Sequence, residues 1–159
     1  MSPLHESFDA IEGPSCKSLV RFSSAHSRWS QTGNPPFQAF DFLDWADLLD
    51  WISVVHFPRT ATDRYTLSNA QFTYDGTGRE DLFQSRDTDI NALDSFFIER
   101  WASIYLECVS QRSSIFARSR VRGIDMDFIQ FEIGLFPFFD PDDQISDIVS
   151  LVERIEGSD

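Results

Sequence analysis

The chain is 159 residues long, one domain's worth, and its 42% apolar content with 16 Phe, 4 Trp and 3 Tyr excludes wholesale disorder. Its 13 basic against 26 acidic residues give a formal charge of −13 and a pI near 4.4, which repels phosphate backbones and anionic lipid, so neither a nucleic-acid nor a membrane partner is expected. Cys16 and Cys108 are too few for a disulfide framework or a thiolate zinc site, and Met1 to Ile11 lacks a signal-peptide pattern. No stretch reaches the roughly 18 consecutive apolar residues of a membrane span, so a reducing cytoplasm is the expected location.

Residues 1–36, rich in Ser, Pro and Gly and punctuated at Gly13-Pro14-Ser15 and Gly33-Asn34-Pro35-Pro36, read as a partly ordered N-terminal arm ahead of a domain over 37–159. Leu19, Val20, Phe22 and Trp29 offer a short helix that docks on that domain; the alternative is a loose tail, and Trp29 favours docking. From Phe40 to Ile52, Phe42, Trp45, Leu48, Leu49 and Ile52 recur at α-helical spacing. Asp41, Asp44, Asp47 and Asp50 fan across one side of that helix as a solvated flank whose ends diverge too far to chelate a metal.

Ile52 to Phe57 and Arg64 to Phe72 read as two strands of a hairpin with a long loop, followed by a turn at Tyr74 to Gly78 and one helical turn over Glu80 to Gln84. Leu93, Phe96, Phe97, Trp101, Ile104 and Cys108 then stand three or four apart, predicting the longest helix, capped at Thr88 or Asp89 and ending near Gln111. Ser114 to Val121 alternates, with Ile115 and Ala117 on one face and Phe116, Arg118 and Arg120 on the other. After a turn at Arg122 to Asp125, Phe128 to Phe136 alternates too, placing Ile129, Phe131, Ile133 and Leu135 opposite Gln130 and Glu132. Antiparallel pairing of these strands sets Arg118 or Arg120 beside Glu132, and Pro137 with the turn Asp140-Pro141-Asp142-Asp143 ends the second. Ile145 to Ile155 fits either a helix or a final strand.

This order is α+β. From Phe40 to Ile155 it resembles the PAS fold, and more narrowly the compact PAS-like domains of alphaproteobacteria. Trp29, Pro35-Pro36, Asp41 and Leu48-Leu49-Asp50-Trp51 stand where that family has a Trp-bearing helix, a Pro-then-Asp segment and a Leu-Leu-Pro-Trp run. Arg64-Tyr65-Thr66-Leu67 and Gly78-Arg79-Glu80-Asp81-Leu82 are similar to its Arg-Tyr-Arg-Leu strand and Gly-Arg-Asp-Leu-Thr-Gly loop, with an extra acid and no closing Gly near Gln84. The resemblance implies a PAS-like five-stranded antiparallel sheet with short helices and one long helix across it, plus the N-terminal helical arm, enclosing a small cavity. Candidates to line that cavity are Tyr65, Leu67, Phe83, Phe97, Trp101, Phe116 and Phe131, for which plain core packing is the competing explanation.

Chemical motifs are sparse. His5, His26 and His56 are scattered, and His56 on a strand reads as a hydrogen-bonded structural residue rather than a metal or haem ligand. No His or Cys occurs between Arg59 and Glu107, which argues against a covalent flavin adduct and, more mildly, against haem; the cofactor stays unspecified. No Gly-x-Ser-x-Gly elbow or close Cys/His pair marks a nucleophile, so an enzyme is not expected. Asp125-x-Asp127 and the Asp140 to Asp143 cluster lack the Gly and terminal Glu of a calcium loop and read as turns. Arg118, Arg120 and Arg122 read as ion pairing on an exposed sheet face, and Phe138-Phe139, if exposed, mark an interface.

The expected function is a stand-alone PAS-like sensory or regulatory module of bacterial signalling. It acts by binding a small apolar ligand, by associating with its twin as a homodimer or with a partner regulatory protein, or by both. The alternative is an acidic protein-binding inhibitor or nucleic-acid mimic, which needs a continuous acidic stripe rather than acids interrupted by the 12 Arg.

Overall fold

A computed structural model of the chain describes residues 5–59, 63–66, 68–77, 95–122 and 128–155, and for 5–8, 95–100, 120–122 and 128–129 the backbone alone. The expected turns at Gly78 and Gly123, the helical turn at Glu80, the cap at Thr88 or Asp89, the loop Gly78 to Leu82 and Asp125-x-Asp127 lie outside the described residues. In chain order come β1 (His5–Ile11), α1 (Lys17–Trp29), two 3-10 segments (Phe37–Ala39 and Phe42–Trp51), β2 (Ile52–His56) and β3 (Gln71–Asp75). Then follow α2 (Ser95–Gln111), β4 (Ile115–Arg122), β5 (Phe128–Phe139) and β6 (Ile145–Arg154).

The strands form one open sheet in the order β1-β4-β5-β6-β2-β3, each neighbouring pair antiparallel. β2 to β6 are the five strands of the expected PAS-like sheet, and β1 adds a sixth beside β4. Ile145 to Arg154 is a strand because the turn before it closes a hairpin: Asp143 takes φ 62, and Asp140 Oδ1 accepts from the Asp142 and Gln144 amides at 2.9 and 3.1 Å. β5 does not stop at Pro137. β4 begins only at Ile115, opposite Leu135, so the β5 edge beyond is open to other partners. There the Pro137 carbonyl accepts from His26 Nε2 at 2.8 Å and the Phe139 amide donates to the Pro35 carbonyl at 2.8 Å, positions where a missing N–H costs nothing. Phe138 and Phe139 are accordingly buried, not an exposed interface.

Two further expectations shift. The second hairpin strand is Gln71–Asp75 rather than Arg64 to Phe72; Asp63 to Thr66 turn instead, held by Thr66 and Asn69 side chains on the Asp63 carbonyl. The expected α-helix over Phe40 to Ile52 is 3-10, with Asp41 capping it through Leu43 N–H at 2.9 Å and Trp45 breaking it at φ −120, ψ 24. The row Asp41, Asp44, Asp47 and Asp50 is interrupted by that break at Trp45. Arg21 from α1 then clamps Asp47 at 2.7 Å while its guanidinium lies 4.6 Å over the Trp45 ring.

Both faces of the sheet are covered. On one, Ile104, Tyr105 and Cys108 of α2 pack on Ala117, Phe131, Ile133, Leu135, Ile148 and Val152. On the other, Leu19, Phe22 and Ala25 of α1 share a core with Phe40, Trp45, Phe136 and Phe138, so aromatics from both sides of residue 36 bury each other. Phe22 lies 4.6 Å from both Trp45 and Phe136. Gly134 lets α1 come this close: a Cβ there would meet Leu19 Cδ2 at 2.7 Å. Each edge strand carries an irregularity, β1 between His5 and Phe8 and β3 opposite Val54 and Val55. Among the described residues no helix is long and apolar enough to cross a membrane.

Candidate functional site

The period of two along a strand decides which expected cavity residues meet. Trp101 stacks on Phe131 with the rings 1° from parallel and 6.4 Å apart, on the α2 face. Tyr65 packs at the rim of the same core, 5.3 Å from Phe57, and its hydroxyl donates to the Ile145 carbonyl at 2.8 Å, so its position comes from the turn before β3 and not from a strand. Phe116 points the opposite way and meets Phe136 at 5.7 Å in the α1 core. The sheet therefore stands between Phe116 and the Trp101–Phe131 pair. Leu67, Phe83 and the side chain of Phe97 lie outside the described residues.

Among the described residues, open space lies at the β1 edge, with the expected cavity residue Phe116 on its border. A groove of about 230 Å³ is bounded by the C-terminal half of α2, the end of β1 and the start of β4. Its origin is a cross-strand pair of small residues, Ala10 opposite Ala117, in a ladder whose next rung is Ile11 opposite Phe116. Ile104, Glu107 and Gln111 form the helix wall at spacings of three and four, the stripe one helix face presents. Ile104 and Ala117 are buried on the floor, whereas Glu12, Glu107 and Gln111 stand exposed around it. The Gln111 amide donates to Glu107 Oε1 at 2.9 Å and sets that carboxylate in place. Of the residues bordering this groove, sequence reasoning singled out Phe116 alone as a cavity candidate, because Phe8 and Ala10 are too short an alternation to mark β1 as a strand.

A second polar centre holds α1. β4 and β5 pair Arg118 with Glu132, as their alternation predicts; Arg118 is exposed as expected, whereas Glu132 is buried beneath the start of α1. Glu132 is fully buried and accepts from Ser15 N–H (2.8 Å), Ser15 Oγ (2.8 Å), Cys16 N–H (2.9 Å) and Arg118 Nε (3.1 Å). Beside it in register, Glu153 accepts from Ser18 N–H at 2.9 Å. The two carboxylates thus satisfy amides at the start of α1, whose N-cap residue, Cys16, makes no side-chain cap bond. Burial pushes the Glu132 carboxyl up, but the Cys16 and Ser15 donors with Arg118 outweigh it and hold it below the ordinary value. The same burial and the two negative neighbours raise the Cys16 thiol to about 11, and burial raises Cys108 to about 12, so both are poor nucleophiles at neutral pH.

His26 and His56 have structural partners. His26 is buried among Trp29, Phe136 and Phe138, its basicity lowered by desolvation against the raising effect of its bond to Pro137. His56 Nδ1 lies 3.1 Å from Asp147 Oδ2, and Asp147 also accepts from Ser146 Oγ at 2.7 Å. At the far end Asp140 binds Arg64 at 3.0 Å and Asp143 binds Arg112 at 3.1 Å, tying the β5–β6 turn to the loop before β3 and to the end of α2. Among the described residues no group of three or more His, Cys, Asp or Glu is placed to hold a metal.

No family profile matches the chain, and no curated protein matches it. Among solved structures it is similar to an RNA-binding Light-Oxygen-Voltage receptor, with a TM-score of 0.48 and 13% identity over 92% of this chain. The chain spans 37% of the length of that receptor.

Proposed function

We propose that the chain is a non-catalytic, cytoplasmic sensory or regulatory module of the compact bacterial PAS-like type, which binds a small molecule and associates with a partner regulatory protein or a second copy of itself. The groove between β1, α2 and β4 carries this reading. One of its walls, β1, is among the described residues an edge strand paired to β4 alone, so a molecule seated there bears directly on whether the first residues stay on the sheet. Occupancy can thereby become a change of surface. A fragment collection titrated into isotope-labelled protein should give saturable amide shifts at residues 10–12, 104–111 and 114–117, with altered hydrogen exchange along β1. Scattered shifts with no common site would overturn the proposal.

The charge pattern supports this reading over an acidic mimic. Arg21, Arg59, Arg64, Arg112 and Arg118 each pair with an Asp or Glu, which interrupts the acidic surface that a phosphate imitation requires.

A further inference from the structure

We propose that the β1–α2–β4 groove selects a small organic cation, a protonated amine on a short apolar body; this rests on reading the groove as the ligand site. Three negative features converge on it, one from the segment after β1 and two from α2. Glu12 follows β1, Glu107 stands one turn before the end of α2, and Gln111 is the last residue of that helix, so the negative end of the helix dipole is part of the wall. The last turn of α2 contains no basic residue to offset it. Among the described residues, the two arginines next to the lining in sequence are engaged elsewhere: Arg112 binds Asp143 and lies 5.0 Å over the Phe139 ring, and Arg118 binds Glu132 and donates to Ser15 Oγ at 2.6 Å.

Beneath this negative rim the floor is apolar, made by Ile104, Ile115 and the Ala10–Ala117 pair. An amine head at the rim keeps part of its hydration and gains two carboxylates, while its body covers the alanines and isoleucines. An apolar cavity of about 150 Å³ takes benzene, so 230 Å³ has room for a ring with a short aminoalkyl chain. An anionic ligand of that shape meets only repulsion, reinforced by the net charge of −13.

The test compares three probes of one shape, 2-phenylethylamine, 2-phenylethanol and 3-phenylpropanoate, titrated into the intact chain and followed by amide shifts. The amine should saturate the groove, the alcohol should bind about tenfold more weakly or worse, and the anion should not bind. Glu107→Gln and Glu12→Gln should each weaken the amine several-fold, Asp44→Asn outside the groove should leave it unchanged, and Ala117→Leu should abolish binding in a chain that still unfolds cooperatively. Saturable binding of the alcohol or the anion as tight as the amine overturns the cation assignment and leaves the ligand-site reading standing. Equal weakening by Asp44→Asn and Glu107→Gln also overturns it, since attraction would then come from the diffuse field. Absence of saturable binding by all three probes, together with no groove hit from the fragment collection, overturns both.

Discussion

The two helices that cover the sheet are held in different ways. α1 is pinned at its first turn by a buried carboxylate and its neighbour, then locked by Phe40, Trp45 and Phe136 from three other segments around Phe22. α2 packs on the sheet through Ile104, Tyr105 and Cys108, with Arg112 just past its end bound to Asp143, and its C-terminal half borders the groove at the β1 edge. Directional bonds to Glu132 fix where α1 begins to within one residue, whereas apolar contact fixes α2 only as well as its shapes interlock. A helix meant to stay put and a helix beside an adjustable space are thus built from different chemistry.

The largest effect should come from the ring cluster. Phe22→Ala should cost about 3–5 kcal/mol in chemical denaturation, because Trp45, Phe40 and Phe136 cannot all collapse into the space. Ile104→Ala on α2 should cost less than this, since the groove already lies beside it; equal losses would break the contrast.

Next in size is the carboxylate anchor. Glu132→Ala should cost about 1–3 kcal/mol by leaving the Ser15 and Cys16 amides without their acceptor, and hydrogen exchange should rise at the start of α1 before it rises in α2. Glu132 has a folded pKa below its unfolded one, so its contribution is full above the ordinary carboxylate range and is lost as pH falls through the folded value. The stability gap between the wild type and Glu132→Gln should therefore narrow on acidification. A gap independent of pH would show that packing, not charge, anchors the helix.

A smaller term belongs to His26, whose folded pKa lies below its unfolded value near 6.5. The unfolded chain binds its proton more readily, so wild-type stability should decline as pH drops below that value, and His26→Gln should flatten this part of the profile. Smallest of all, Leu43→Ser should change stability by no more than about 0.5 kcal/mol, because Leu43 is 84% exposed.

Much of this was readable from side-chain period. The faces of β4 and β5, the Arg118–Glu132 register and the long helix ending at Gln111 all follow local rules. What escaped depends on distant partners. Pro137 reads as a stop because the sequence does not show that β4 has already ended and that His26, 111 residues away, waits for its carbonyl. The place of Glu132 under α1 depends on Gly134, two residues along, being small enough for Leu19 to rest on the sheet. The 3-10 stretch keeps the same apolar residues at nearly the same spacing as an α-helix, and only Trp45, buried against Phe22 and Trp29, reveals where it bends. The groove rests on two alanines 107 residues apart, each unremarkable on its own chain segment.

The irregular edge strands have a consequence for how copies of the chain meet. A flat border of free amides and carbonyls invites another strand to extend the sheet, and repeated extension ends in fibrils. Here the register of both border strands is interrupted, between His5 and Phe8 on one side and opposite Val54–Val55 on the other, which shortens the straight run that either offers a visitor. Side chains over a broad patch are thus a better seal between copies than strand addition, and the concentrated protein should remain dispersed instead of growing end to end.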